Sequence, residues 1–184
     1  MSRSLKKGPF VEAKLYNRIC NRNGIDNGLK AFLDEEIARQ NESDNTKGNF
    51  VAIDYEIIKL KETDSEVTLY MWVLYEEYSL KNGKLNVEAG SHIPTVITAA
   101  KNGEIYDLKE YWQPRDGSYY VKDIRKKFPF HLWLKATDSQ WCIDKQTQRC
   151  EEKALKYFRQ NGNISKNVDN IVDQSKNDPN ISFD

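Results

Sequence analysis

Histidine is almost missing from these 184 residues, with only His92 and His131, and cysteine is scarce, with Cys20, Cys142 and Cys150. Two histidines cannot furnish a metallopeptidase helix of the His-Glu-x-x-His kind, and no Cys-x-x-Cys pair exists to hold a structural zinc. Three thiols are also an odd and sparse set, unlike the even, dense framework of a small disulfide-stapled secreted domain. One bond, Cys142 to Cys150, stays open on a condition. On a shared helix the two would stand about 12 Å apart, too far to bridge, so Cys142 would have to precede the helix. The nine glycines fall in predicted turns, bulges or termini, and none forms a phosphate-cradling loop. Nothing around the cysteines resembles a protease nucleophile elbow. No catalytic residue, metal ligand or cofactor is therefore assigned.

Net charge is lacking too, since 28 basic residues meet 28 acidic ones. A zero balance removes the bulk electrostatic ground for binding nucleic acid or anionic membrane, and no specific nucleic-acid partner is expected. No apolar run approaches the ~20 residues that span a bilayer, and the first thirty residues lack the apolar middle of a secretory signal. As written, the chain reads as soluble and without an export signal or transmembrane segment.

What is present is aromatic and alternating. Ten Tyr, seven Phe and four Trp can build the core of one domain, the natural number for this length. Residues 1–24 form an arm, and residues 1–30 carry seven basic against two acidic residues, an excess of five positive charges. Leu29, Phe32, Leu33 and Ile37 then recur at helical spacing, with Asp26 or Asn27 available as a cap. The polar stretch Asn41 to Gly48 closes that helix.

From Asn49 the period changes to two. Val51, Ile53, Tyr55 and Ile57 form one strand, Glu62 to Ser65 turns the chain, and Val67, Leu69, Met71, Val73 and Tyr75 form the next. Asn82-Gly83 marks a tight hairpin leading to Leu85 and Val87. Gly90 and Pro94 predict a bulge or an edge before Val96 to Ala99. Asn102-Gly103 turns into a last strand over Ile105 to Trp112. Val121, Ile124 and Phe128 fit a short helix ended by Pro129, and Cys150, Ala154, Tyr157 and Phe158 line a final one from about Asp144, stopped near Gly162. Residues 163–184 read as a flexible polar tail.

The pattern predicts an α+β domain over 25–162: a curved antiparallel sheet of about four strands packed on the N-terminal helix, with C-terminal helices. One face of the sheet would be covered, in a cystatin-like or nuclear-transport-factor-like cone. Inside such a cone Tyr70, Trp72 and Tyr111 are candidates to line a ligand pocket, with Trp112, Tyr119 and Tyr120 beside them. Ser91, His92, Arg115 and Asp116, read as loop residues, are its polar candidates. Ordinary core packing is the competing reading of those aromatics. Lys122, Arg125, Lys126 and Lys127 form either a solvated helix face or a contact for phosphates or acidic lipids.

Two segments resemble known families. Ser2-Arg3-Ser4-Leu5-Lys6-Lys7-Gly8-Pro9-Phe10-Val11 resembles the start of the bacterial small-subunit ribosomal protein S-nineteen family over fewer than about twenty residues, and the rest of that family's pattern is missing. Residues 27–158 resemble a small domain associated with beta-lactam-sensing signal-transducer membrane metallopeptidases of Gram-positive, clostridia-like bacteria. The residues that carry this are Thr68-Leu69-Tyr70, Leu74-Tyr75-Glu76-Glu77-Tyr78, Gly90-Ser91-His92-Ile93-Pro94 and Leu108 to Tyr120, ending at Phe128-Pro129. That resemblance implies an extracytoplasmic, sensor-like accessory domain whose partner is an envelope protein or a small ligand. Where relatives tend to carry Glu-x-His on the first strand, this chain has Asp54-Tyr55-Glu56. Alternatives are a small-molecule enzyme with His92 or Asp116 as acid or base, and a cytoplasmic ribosome-associated factor acting through the arm.

Overall fold

The computed structural model of the protein describes residues 25–41 and 50–161. The expected arm and tail, residues 42–49, Cys20 and Gly162 lie outside them. Helix α1 (Asn27–Asn41) starts at a side-chain cap: Asp26 Oδ1 accepts the Leu29 N–H at 2.7 Å, which satisfies one of the donors a helix start leaves open. The Tyr106 hydroxyl donates to the other carboxylate oxygen at 2.6 Å. Burial opposes ionisation of Asp26, but the bonds from Tyr106 and from the Leu29 and Gly28 N–H groups outweigh it and hold its pKa below the ordinary carboxylate value. Gly28 is required by contact. A Cβ there would press into the carbonyl oxygen of Glu104, in the turn that α1 abuts.

Four strands follow: β1 (Phe50–Glu62), β2 (Glu66–Lys81), β3 (Lys84–Asn102) and β4 (Ile105–Trp112). They form an antiparallel meander in sequence order, so the fold is α+β with a curved sheet as expected. The β2–β3 turn has Asn82 at φ +53 and Gly83 at φ +75, the two left-handed residues of a type I′ hairpin. β3 is one continuous strand, and its bulge falls at Glu88, between the Glu77–Ala89 and Tyr78–Val87 pairs, not at Gly90 or Pro94. Pro94 does lie on an edge. β4 pairs only from Val96 onward, so Pro94 borders β2 alone, where a residue without an N–H is tolerated.

Both faces of the sheet are covered, which departs from the one-sided cone. On one face α1 buries Leu29, Leu33 and Ile37 against Val67, Leu69, Met71, Val73, Ile97 and Tyr106. On the other lie the helices after β4: α2 (Tyr120–Lys127), α3 (Trp133–Thr137) and α4 (Ile143–Gln160). α4 buries Cys150, Ala154 and Phe158 against Ala52, Leu74 and Tyr78, while α2, α3 and the segment between them bury Ile124, Phe128, Leu132 and Ala136 against Tyr70 and Val96. β2 is the shared wall. Successive strand residues point to opposite sides, so a strand covered twice must be apolar at nearly every position. Thr68 to Tyr75 is such a run, buried almost throughout.

Bulges decide which residues share a face. The extra residue Ile58 in β1 reverses the parity, so Ile53, Tyr55 and Ile57 face α1, and so does Leu60. Lys109 does the same in β4, placing Tyr111 on the α1 side with Tyr106 and Leu108, while Trp112 faces the later helices. α4 is also pinned electrostatically. Arg149 reaches Asp54 at 2.5 Å and Glu56 at 3.0 Å, and Lys153 reaches Asp54 at 3.4 Å. Cys142 does precede this helix, yet both Cys142 and Cys150 are buried free thiols. Burial pushes the Cys142 thiol up to about 12 and raises that of Cys150 further.

Candidate functional site

The six pocket candidates do not converge. Tyr70, Trp72 and His92 lie on the face covered by α2–α4, Tyr111 lies on the α1 face behind the Lys109 bulge, and Arg115 and Asp116 follow β4. Ser91 and His92 belong to β3, not to a loop. Tyr70 packs edge-on against Phe128, with centroids 5.3 Å apart. The Trp72 indole N–H donates to the Lys135 carbonyl at 2.7 Å, and the ring stacks on His92 at 4.6 Å. The Tyr111 hydroxyl accepts from Asn41 Nδ2 at 3.1 Å, tying β4 to the end of α1. Asp116 is the extended residue before the short 3-10 turn Gly117–Tyr119.

His92 is committed by a partner distant in sequence. The fully buried amide of Gln146 on α4 points its Nε2 at two backbone carbonyls, Asp54 O and Trp72 O, both at 3.3 Å. Only Oε1 is left for His92, whose Nε2 lies 2.9 Å away. The imidazole must therefore donate from Nε2. Burial lowers the His92 pKa, against the opposing pull of this hydrogen bond, and so favours the neutral ring. The ring and the amide lock α4 to the sheet, and sequence inspection cannot find a pair 54 residues apart.

Arg115 contributes to a different feature. Its guanidinium grips Asp123 at 2.7 and 2.8 Å, its backbone N–H adds a third bond to the same carboxylate, and the Tyr119 ring lies 4.2 Å beneath the guanidinium carbon. Arg115 is the main reason that the Asp123 carboxyl is held down to about 2. Beside this pair runs an open surface cavity of about 350 Å³, lined by Trp112, Gln113, Arg115, Asp123, Lys126 and Lys127. Lys127 pairs with Glu110 and lies 5.9 Å over Trp112.

The surface beyond the cavity is basic and apolar together. α2 turns Ile124 inward and leaves Val121, Lys122, Arg125 and Lys126 exposed. After Pro129, a 3-10 turn (Phe130–Leu132) feeds α3, and Phe130 and Leu134 are 77% and 86% exposed. Trp133 anchors the segment through its indole N–H to the Phe128 carbonyl at 2.8 Å, and Phe130 meets it edge-on at 5.0 Å. Arg125 lies 5.5 Å from the Trp133 ring, and Lys135 lies 5.6 Å from the ring of Trp141. Among the described residues Lys122, Arg125, Lys126 and Lys135 enter no ion pair. The sequence flagged the cations of α2 but not the apolar pair beside them, because a 3-10 turn and a five-residue helix carry no periodicity.

No family model, curated protein or solved structure matches this chain. Function must then be argued from its own residues. Among those described, no group of three or more His, Cys, Asp or Glu is placed to hold a metal ion, and no helix is long and apolar enough to cross a membrane.

Proposed function

We propose that the protein is a non-catalytic binding or sensor-like accessory domain of the Gram-positive cell envelope, and that it binds through the α2–α3 face. The observation that carries the binding surface is the set of four cations that enter no ion pair among the described residues, Lys122, Arg125, Lys126 and Lys135, beside solvent-facing Phe130 and Leu134. Exposed apolar side chains rimmed by polar ones mark interaction sites, since folding alone gives no reason to keep them in water. The envelope assignment comes from the resemblance over residues 27–158. Against an enzyme acting through His92, that ring is stacked on Trp72 and bonded to Gln146, and it does not line the cavity near Arg115. The ribosome-associated alternative rests on the arm, outside the described residues.

The test is cosedimentation with cell-envelope preparations from a Gram-positive bacterium, comparing the wild type with the charge-reversal variant K122E/R125E/K126E/K135E. The wild type should sediment with the envelopes and the variant should stay in the supernatant. Equal sedimentation of the two, or none of either, would overturn the proposal.

A further inference from the structure

We infer that the α2–α3 face is built to seat on an anionic lipid surface, with Phe130 and Leu134 entering the interface and the neighbouring cations meeting lipid phosphates. The inference rests on the proposal that this face is the binding surface, and it names the occupant. Charge complementarity is the first ground. Residues 117–141 carry five Lys or Arg against two acids, Asp123 and Asp138, an excess of three in a chain with no net charge. Asp123 is neutralised by Arg115, and Asp138 accepts the Gln140 N–H at 3.0 Å. Each cation near an anionic leaflet contributes about fivefold to partitioning.

The second ground is the apolar pair. Phe130 and Leu134 lie four residues apart in one short helical stretch, the first in the 3-10 turn and the second in α3, and both are turned to solvent. His131 and Lys135 follow each of them by one position and are exposed. Trp133 and Trp141, whose indole N–H groups bond the carbonyls of Phe128 and Lys135, supply the amphipathic rings that favour headgroup depth. A nucleic acid fits less well. One side of each tryptophan is occupied by Arg125 or Lys135, and Leu134 and Val121 offer no surface on which a base can stack.

The experiment uses the full chain with vesicles of phosphatidylglycerol, vesicles of phosphatidylcholine and a single-stranded oligonucleotide. Three proteins are compared: wild type, F130S/L134S, and K122E/R125E/K126E/K135E, each first shown by circular dichroism to keep the wild-type fold. The wild type should bind phosphatidylglycerol and not phosphatidylcholine. Brominated acyl chains should quench its tryptophan fluorescence, and both variants should lose about tenfold or more in partitioning. Retained binding by F130S/L134S, tighter binding to the oligonucleotide, or no vesicle binding up to about 1 mM lipid would each refute lipid seating. Wild-type sedimentation with envelopes alongside failure on vesicles would sink this inference alone, whereas failure on envelopes would sink the binding face itself.

Discussion

Replacing Gln146 with leucine removes the side chain that joins α4 to His92 and to two strand carbonyls, and the cost follows from three bonds. The half-buried His92 Nε2–H loses the acceptor it has among the described residues, at 2.9 Å, and leaving such a donor unsatisfied costs about 1–3 kcal/mol. The two carbonyl bonds are longer, at 3.3 Å each, and contribute about 0.5 kcal/mol apiece. The sum is about 2–4 kcal/mol, which for a chain of this length lowers the melting temperature by roughly 5–15 °C. Urea unfolding followed by tryptophan fluorescence reads it directly. A double-mutant cycle isolates the cause: His92→Phe keeps a ring on Trp72 but deletes the N–H. In that background Gln146→Leu should cost about 1–2 kcal/mol less than in the wild type. Additive costs, within about 0.5 kcal/mol, would refute the pairing and the tautomer derived from it.

The same histidine sets a pH dependence. Its folded pKa is lowered by burial, so on acidification the unfolded chain takes up the proton first. His92's contribution is complete above the unfolded value near 6.5 and is lost as pH falls from there toward the folded pKa, a slope that His92→Phe should flatten. Gly28→Ala should destabilise the protein in thermal melts, although alanine is the better helix former by about 1 kcal/mol, because its Cβ would meet the Glu104 carbonyl. Asp26→Ala, which removes the α1 cap and the Tyr106 partner, should cost about 1–2 kcal/mol in urea unfolding. Cys142 and Cys150 should resist Ellman's reagent at pH 8 in the native state and react fully in urea, as buried thiols with raised pKa values do.

Much of the fold was legible because its signals are local. The stripe of Leu29, Leu33 and Ile37, the Asp26 cap, the Asn82-Gly83 and Asn102-Gly103 turns and the alternation in β1 each operate within a few residues. The second covered face was written only in the near-absence of polar residues from Thr68 to Tyr75, a composition that a one-sided strand does not need. Single-residue bulges were invisible, and one of them, at Lys109, separates Tyr111 from the aromatics of the other face. Pro94 broke the β3 pattern on paper but not in the sheet, since β4 is too short to reach it. The proposed binding face was half legible: the cations of α2 stood out, while Phe130 and Leu134, in a 3-10 turn and a five-residue helix, gave no periodic signal.

Lysine reactivity tests the proposed binding face most directly. When the protein is acetylated in limiting reagent with and without envelope preparation, and the sites are quantified by mass spectrometry, Lys122, Lys126 and Lys135 should be protected in the bound state. Lys59 on β1 and Lys145 on α4 should react at the same rate in both. Protection spread evenly over all five, or confined to Lys59 and Lys145, would contradict the assignment of α2–α3 as the surface through which this domain binds.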